Sequence, residues 1–261
     1  MPSERPSRAG LAGMGPLLIS VIVVAAGLIV AMVGGALSGE VNPTATKTVA
    51  VQSISPAKVG TVFATLDTLA VKGRAPKTGY DREQFGPAWA DVDRNGCDTR
   101  NDVLRRDLTG YVLKGGTHGC VVLSGTLLDP YTATTIGFVR GQTTSTKVQI
   151  DHVVALSDAW QKGAQQLSAQ TRRALANDSL NLLAVDGPSN QRKSDGDAAT
   201  WLPPNKAYRC PYVARQVAVK AKYRLWVTSA ERDALRRILA TCPSQPLPAT
   251  TAFVLGDGPE R

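Results

Sequence analysis

Asp151-His152 is the first place in this sequence where chemistry can be argued. The chain holds only two histidines, His118 and His152, so a reaction that needs an imidazole has few candidates. His118 sits in Gly-Gly-Thr-His-Gly beside Cys120 and reads as a loop residue. His152 follows a carboxylate at the end of an alternating run. Downstream, Asn181 opens a second β-rich run, Asn190 falls just after a turn, and Lys193 stands one helical turn beyond it. An imidazole with a pKa near ~6.5 can take a proton from water at neutral pH. An isolated Asp-His pair is usually a helix cap beside a surface histidine. The asparagines and the lysine behind this pair lift it above that reading.

These residues need a scaffold, and the patterning predicts one. Lys147 to Asp151 (KVQID) alternates like a strand, with Val148 and Ile150 on one face. Two helical stretches come next, over 155–163 and 168–176. Asn181 to Val185 (NLLAV) reads as a second strand, and Asp186-Gly187-Pro188 as a turn with proline placed to open a helix. Upstream, Val59 to Val71 has an apolar stripe at helical spacing, and Asp102 to Leu108 reads as a short helix stopped by Gly110. Tyr111–Leu113 and Cys120–Leu123 are β-rich. Val213 to Leu225 reads as a helix, and Thr228-Ser229-Ala230-Glu231 as a capping box opening another that runs to about Thr241. The expected class is α+β.

Apolar residues make up 43% of the 261, enough to fill a core, and charged residues 20%, too few for a disordered chain. Lys and Arg outnumber Asp and Glu by 30 to 21, a net +9 that favours an anionic partner. Aromatics at 5% argue against a single-strand binder built on stacking platforms. Leu17 to Leu37 carries no charge and, at ~1.5 Å per residue, is long enough to span a ~30 Å hydrocarbon core. Arg5 and Arg8 before it place residues 1–16 in the cytoplasm and export the chain beyond residue 37. Two readings of 17–37 stand: an uncleaved signal-anchor, favoured by the length of the apolar run, or a signal peptide cleaved near Ala36-Leu37-Ser38. The product is a single-pass membrane protein with its domain outside, or a secreted one. Residues 38–57 read as a linker, 58–242 as the domain, with its site core over 147–197, and 243–261 as a Pro/Gly-rich tail.

Cys97, Cys120, Cys210 and Cys242 form an even set without CxxC spacing, which argues against a zinc knuckle. In an oxidising compartment two disulfides are expected. Of three connectivities, Cys97–Cys120 with Cys210–Cys242 is favoured because each closes a local loop. Asp91, Asp93, Asn95, Gly96 and Asp102 fit the spacing of a calcium loop, with a polar Asx-turn loop as the alternative. The basic residues toward the C-terminus, Arg215, Lys220, Lys222 and Arg224 with Arg232, Arg236 and Arg237, read either as a phosphate-tracking face or as a solvated one. Asp195 and Asp197 read as solvated loop acids.

Strand with Asp-His, strand with Asn, helix with Asn is the order of an HNH, or ββα-metal, nuclease site. The runs IDHVVALSDAW and NDSLNLLAVDGPSNQRKSDGDAATWLPP resemble actinobacterial extracellular proteins of the HNH-endonuclease type. So do GYDREQFGPAWADVDRNGCDTRNDVL, SGTLLDPYT and YVARQVAVKAKYRLWVTSAE, so the resemblance spans roughly 60 to 242. It implies a ββα-metal core with helical additions and a phosphodiester hydrolase of little sequence specificity. It also implies His152 as general base, Asp151 and Asn190 as ligands of one Mg²⁺ or Mn²⁺, Asn181 orienting the imidazole, and Lys193 on a phosphate. Nucleic acid is the implied partner, DNA ahead of RNA, with no obligate protein partner evident; a separate calcium ion would belong to the Asp91 loop. Two departures from the pattern stand out: asparagine in place of histidine at position 190, and an interval between His152 and Asn181 longer than a minimal hairpin. The competing class is a catalytically silent surface protein that binds nucleic acid through its basic face.

Overall fold

The computed structural model describes residues 61–250. The apolar run 17–37, the linker 38–57 and the end of the tail lie outside the described residues. Among the described residues no helix is long and apolar enough to cross a membrane.

Helix α1 (Val62–Thr68) is followed by a 3-10 turn at Arg82–Phe85 and by α2 (Thr99–Asp107). Strands β1 (Leu108–Leu113), β2 (Val122–Leu128) and β3 (Thr135–Val139) form an antiparallel sheet in that order. Then β4 (Val148–His152), α3 (Leu156–Gln161), α4 (Ala169–Ala176), β5 (Leu182–Asp186) and α5 (Gly187–Lys193) build the site, and α6 (Arg209–Lys222) and α7 (Ser229–Leu239) close the chain. The expected helices and strands are present with shifted ends. Gly110, expected to stop a helix, lies inside β1 at an irregular register with φ of 56°, a conformation that glycine adopts without strain. Strand β3 alternates with Ile136 and Phe138 turned toward the core, a signal too short to stand out in the sequence.

Strands β4 and β5 form an antiparallel hairpin whose register sets His152 opposite Leu182 and Asp151 opposite Leu183. β5 is apolar from Leu182 to Val185 because both its faces are covered. Leu182 and Ala184 join Val148, Ile150, α2 and the three-stranded sheet in one core. Leu183 and Val185 join Val153 and the helices α1, α6 and α7 in another. The hairpin is therefore clamped on two sides, and the C-terminal end of β4, where Asp151 and His152 sit, is fixed by packing.

Both disulfides pair as favoured, Cys97 with Cys120 and Cys210 with Cys242. A buried ionic cluster holds the helical additions together. Lys162 lies 2.7 Å from Asp158, Asp197 and Glu231. Lys220 lies 2.9 Å from Glu231 and 3.3 Å from Asp158, and Arg74 reaches Asp158 at 3.0 Å and Asp197 at 2.9 Å. Asp197 is thus a structural anion and not a solvated loop acid. Burial pushes its carboxyl up, but the Lys162 ammonium and the Arg74 guanidinium outweigh that and hold it at about 2. Glu231 explains the capping-box signal only in part. Thr228 does accept from the Glu231 backbone N–H at 3.1 Å, while the glutamate side chain turns inward to the two lysines.

Candidate active site

The hairpin end brings Asp151, His152, Asn190 and Lys193 together. Asp186 caps α5 by accepting from the Ser189 N–H at 2.8 Å, with Pro188 in the first turn, so the Asp-Gly-Pro signal is realised. Gly187 lets α5 lie close to the chain before β4: a Cβ there would stand 2.1 Å from the Thr146 carbonyl oxygen. That approach aims Asn190 and Lys193 back at β4.

His152 is buried, and its Nε2 lies 2.9 Å from the Ala176 carbonyl oxygen. A carbonyl only accepts, so Nε2 carries the proton and Nδ1 keeps the lone pair. Burial, then the charge of Arg82, pulls the imidazole down to about 4 against the opposing effects of Asp151 and the Ala176 carbonyl. The ring is neutral at pH 7 and ready to accept a proton. Trp89 stacks beside it, centroids 6.2 Å apart. Asn181 does not touch the ring. Its Oδ1 accepts from Val154 N at 2.8 Å, and its Nδ2 donates at 3.3 Å to the carbonyls of Val154 and Leu175. It ties the exit of β4 to the end of α4, one residue from the carbonyl that His152 meets.

Asp151 accepts from Tyr131 Oη at 2.5 Å on one oxygen and from Lys193 Nζ at 2.9 Å on the other. Lys193 also donates to the His152 carbonyl at 2.9 Å, and its side chain is fully buried. The expected phosphate contact through Lys193 is therefore corrected: this ammonium is spent on Asp151. Asn190 donates through Nδ2 to Gln149 Oε1 at 2.9 Å, which directs its carbonyl oxygen away from that bond. Asp151, His152 and Asn190 line one open cleft of about 360 Å³ with Lys77, Tyr80, Arg82, Ser157 and Asp195. Each Asp151 oxygen keeps a lone pair beyond its one hydrogen bond. Together with the Asn190 carbonyl this is a hard-oxygen donor set that fits a divalent cation completed by water.

The two other predicted sites fare differently. In the Asp91 loop, Asp91 accepts from the N–H groups of Asn95 at 3.2 Å and Gly96 at 3.0 Å, and Asn95 Nδ2 bridges Asp93 at 3.2 Å and Asp102 at 3.1 Å. Burial pushes the Asp102 carboxyl up to about 6. Among the described residues no three His, Cys, Asp or Glu side chains come together as a metal cluster. The basic face on α6 is dismantled. Lys220 is buried in the ionic cluster, Arg215 donates to the Leu182 carbonyl at 3.1 Å, and Lys222 pairs with Asp178 at 2.6 Å. Arg224 alone of the four stays exposed without an ion pair among the described residues. Tyr131, Gln149, Lys77 and Arg82 join the site without any sequence signal of their own. The strings around Tyr131 and Arg82 belong to the resemblance, but only the fold shows what they face.

The family profile described as "GmrSD restriction endonucleases, C-terminal domain" matches residues 98–238. The chain belongs to that family. A protein named "Uncharacterized secreted protein" from the fungus Arthroderma benhamiae is 40% identical over 179 residues, covering 68% of this chain and 82% of its own length. That relative is fungal, so the actinobacterial source suggested by the resemblance gains no support. No solved structure matches the chain. The family match encloses β4, β5 and α5 whole, while Lys77, Tyr80, Arg82 and Trp89 lie upstream of it.

Proposed function

We propose that this chain is an exported, metal-dependent nuclease that hydrolyses phosphodiester bonds of nucleic acid, DNA ahead of RNA, with little sequence specificity, on a ββα-metal core formed by β4, β5 and α5. Membership of a restriction-endonuclease family supports the reaction class. The observation that carries the mechanism is the 2.9 Å contact of His152 Nε2 with the Ala176 carbonyl oxygen, from which the tautomer follows. The Nε2–H is committed to Ala176, which leaves Nδ1 as a base in a cleft shared with Asp151 and Asn190.

Nδ1 of His152 draws the proton from a water in the cleft as that water attacks phosphorus and the bond from phosphorus to the leaving oxygen breaks, that oxygen taking its proton from solvent; the resulting imidazolium is stabilised by the adjacent Asp151 charge and the Ala176 carbonyl. Asp151 and Asn190 are the residues that would hold a divalent cation. When bound, such an ion neutralises charge gathering on the phosphoryl and leaving oxygens. Tyr131 and Lys193 keep the Asp151 carboxylate from rotating. Asn181 keeps the β4 exit and the Ala176 carbonyl in register. The cations on the cleft walls, Lys77 and Arg82, suit recognition through phosphates, which carry no sequence information.

The description of the fungal relative as secreted and the paired cysteines support export. Lys220 and Arg215 are taken up in intramolecular contacts, which weighs against the silent-binder alternative, while Lys222, Arg224 and Arg237 stay exposed. The deciding experiment is degradation of plasmid DNA by purified protein with Mg²⁺, with Mn²⁺ and with EDTA. Cleavage that needs the metal supports the reading, and no cleavage of DNA or RNA under any of these conditions overturns it.

A further inference from the structure

With Lys193 buried against Asp151, the cleft needs another cation to meet the phosphate. Lys77 and Arg82 are the lysine and arginine side chains that line it. Lys77 is engaged, 3.6 Å from Asp195 and 5.3 Å from the Tyr80 ring centroid. The Arg82 side chain has neither an ion pair nor a hydrogen bond among the described residues, yet it lines two hollows that His152 also lines. An exposed arginine with no partner is ordinary at a surface. One held at the lip of a cleft beside a buried histidine is not.

The backbone beneath Arg82 is well anchored. Asp81 caps its turn by accepting from Glu83 N at 2.8 Å, and buried Phe85 packs at 6.3 Å centroid distance from Trp160. Arg172 of α4 donates to the Gln84 carbonyl at 2.7 Å. The guanidinium thus hangs from a fixed point, and its planar fork matches two phosphoryl oxygens at once. We propose that Arg82, from the segment upstream of the family match, grips the scissile phosphate and stabilises the charge that builds on it. This rests on the nuclease reading of the site.

Two measurements on the full chain test it, comparing wild type, Arg82→Ala, Arg82→Lys and Lys114→Ala. Lys114 is exposed in the β1–β2 turn, outside the cleft walls. The first is binding of a fluorophore-labelled DNA duplex in EDTA across a salt series. Loss of one phosphate contact should reduce the log–log salt slope by about 0.9. The second is turnover of the same duplex with Mg²⁺, where Arg82→Ala should lower kcat about 100-fold with unchanged thermal stability, Arg82→Lys should recover part of it, and Lys114→Ala should match wild type. If wild type cleaves and Arg82→Ala stays within about threefold in kcat with an unaltered slope, the Arg82 role is overturned and the nuclease reading survives. If wild type never cleaves but the slope still falls in Arg82→Ala, the phosphate contact stands and the nuclease reading fails. A wild type that neither binds nor cleaves overturns both.

Discussion

Replacing Lys193 with methionine separates two roles that the sequence alone leaves open. A lysine reaching a phosphate would be solvated in the free protein, and its loss would raise KM without touching stability. The structure instead buries Nζ completely, 2.9 Å from both Asp151 Oδ1 and the His152 carbonyl. At an effective dielectric constant of about 20, attraction across that distance is roughly 6 kcal/mol before desolvation is subtracted. The variant leaves an uncompensated Asp151 charge, 4% accessible and held by Tyr131 alone. Breaking one side of a buried pair costs about 3–5 kcal/mol. For a domain of this size, each kcal/mol moves the midpoint by about 2–4 °C, so Lys193→Met should melt roughly 6–20 °C lower in EDTA. A cation bound at Asp151 would replace the missing charge, and saturating Mg²⁺ should narrow the gap to wild type. The assay is thermal unfolding with disulfides intact, with and without Mg²⁺, beside steady-state kinetics. An unchanged midpoint with a KM raised about tenfold would refute the buried role and restore the phosphate contact.

His152→Ala should lower turnover at least ~100-fold while DNA binding persists, with His118→Ala as the active control. The wild-type acid limb should lie near pH 4, not near 6.5, because the imidazole is held at about 4. Its depressed pKa also means that its contribution to stability in EDTA is full above pH 6.5 and lost as pH falls toward 4. Asp102, raised to about 6, titrates oppositely in that window, so the wild-type minus His152→Gln difference isolates the imidazole. EDTA should abolish cleavage, Mg²⁺ or Mn²⁺ should restore it and Zn²⁺ poorly; Asn190→Ala should recover only at high Mg²⁺, and activity that persists in EDTA would mean the ligand set is misread. Gly187→Ala, placing a Cβ 2.1 Å from the Thr146 carbonyl, should destabilise by about 1–3 kcal/mol and depress kcat by shifting Asn190 and Lys193 together; a wild-type melting curve would show that α5 does not depend on that approach.

The site is legible in the sequence where local patterning carries it. KVQID alternates because one face of β4 meets the α2 core, NLLAV does not alternate because β5 is covered twice, and the Asp-Gly-Pro turn opens α5 as such a turn should. The order of Asp151, His152, Asn181 and Asn190 is a consequence of those elements. The bonding partners of each side chain are not. The resemblance points Lys193 and Asn181 toward a phosphate and an imidazole, but a sequence shows intervals and not the direction a side chain turns, and both turn inward to protein partners. Arg82 and Lys77 are hidden for the opposite reason. They are surface cations with no periodicity, and only the packing of Phe85 and α4 carries their segment to His152.

The six charges at positions 74, 158, 162, 197, 220 and 231 set the limit of that legibility. Along the chain they are scattered lysines, acids and one arginine, and the usual expectation for each is solvent. In space they balance, three cations against three carboxylates, and they join α3, α6, α7 and the loop after α5. A buried network of this kind is a poor source of net stability, since desolvation cancels much of the attraction. Its effect here is geometric. α3 leaves the β4 exit that carries His152, and the loop bearing Asp195 and Asp197 leaves α5, so the cluster fixes to one another the two chain segments that diverge from the site. Lys220 sits in a basic run and by sequence suits a nucleic-acid contact. Its burial removes it from that role and gives it this one.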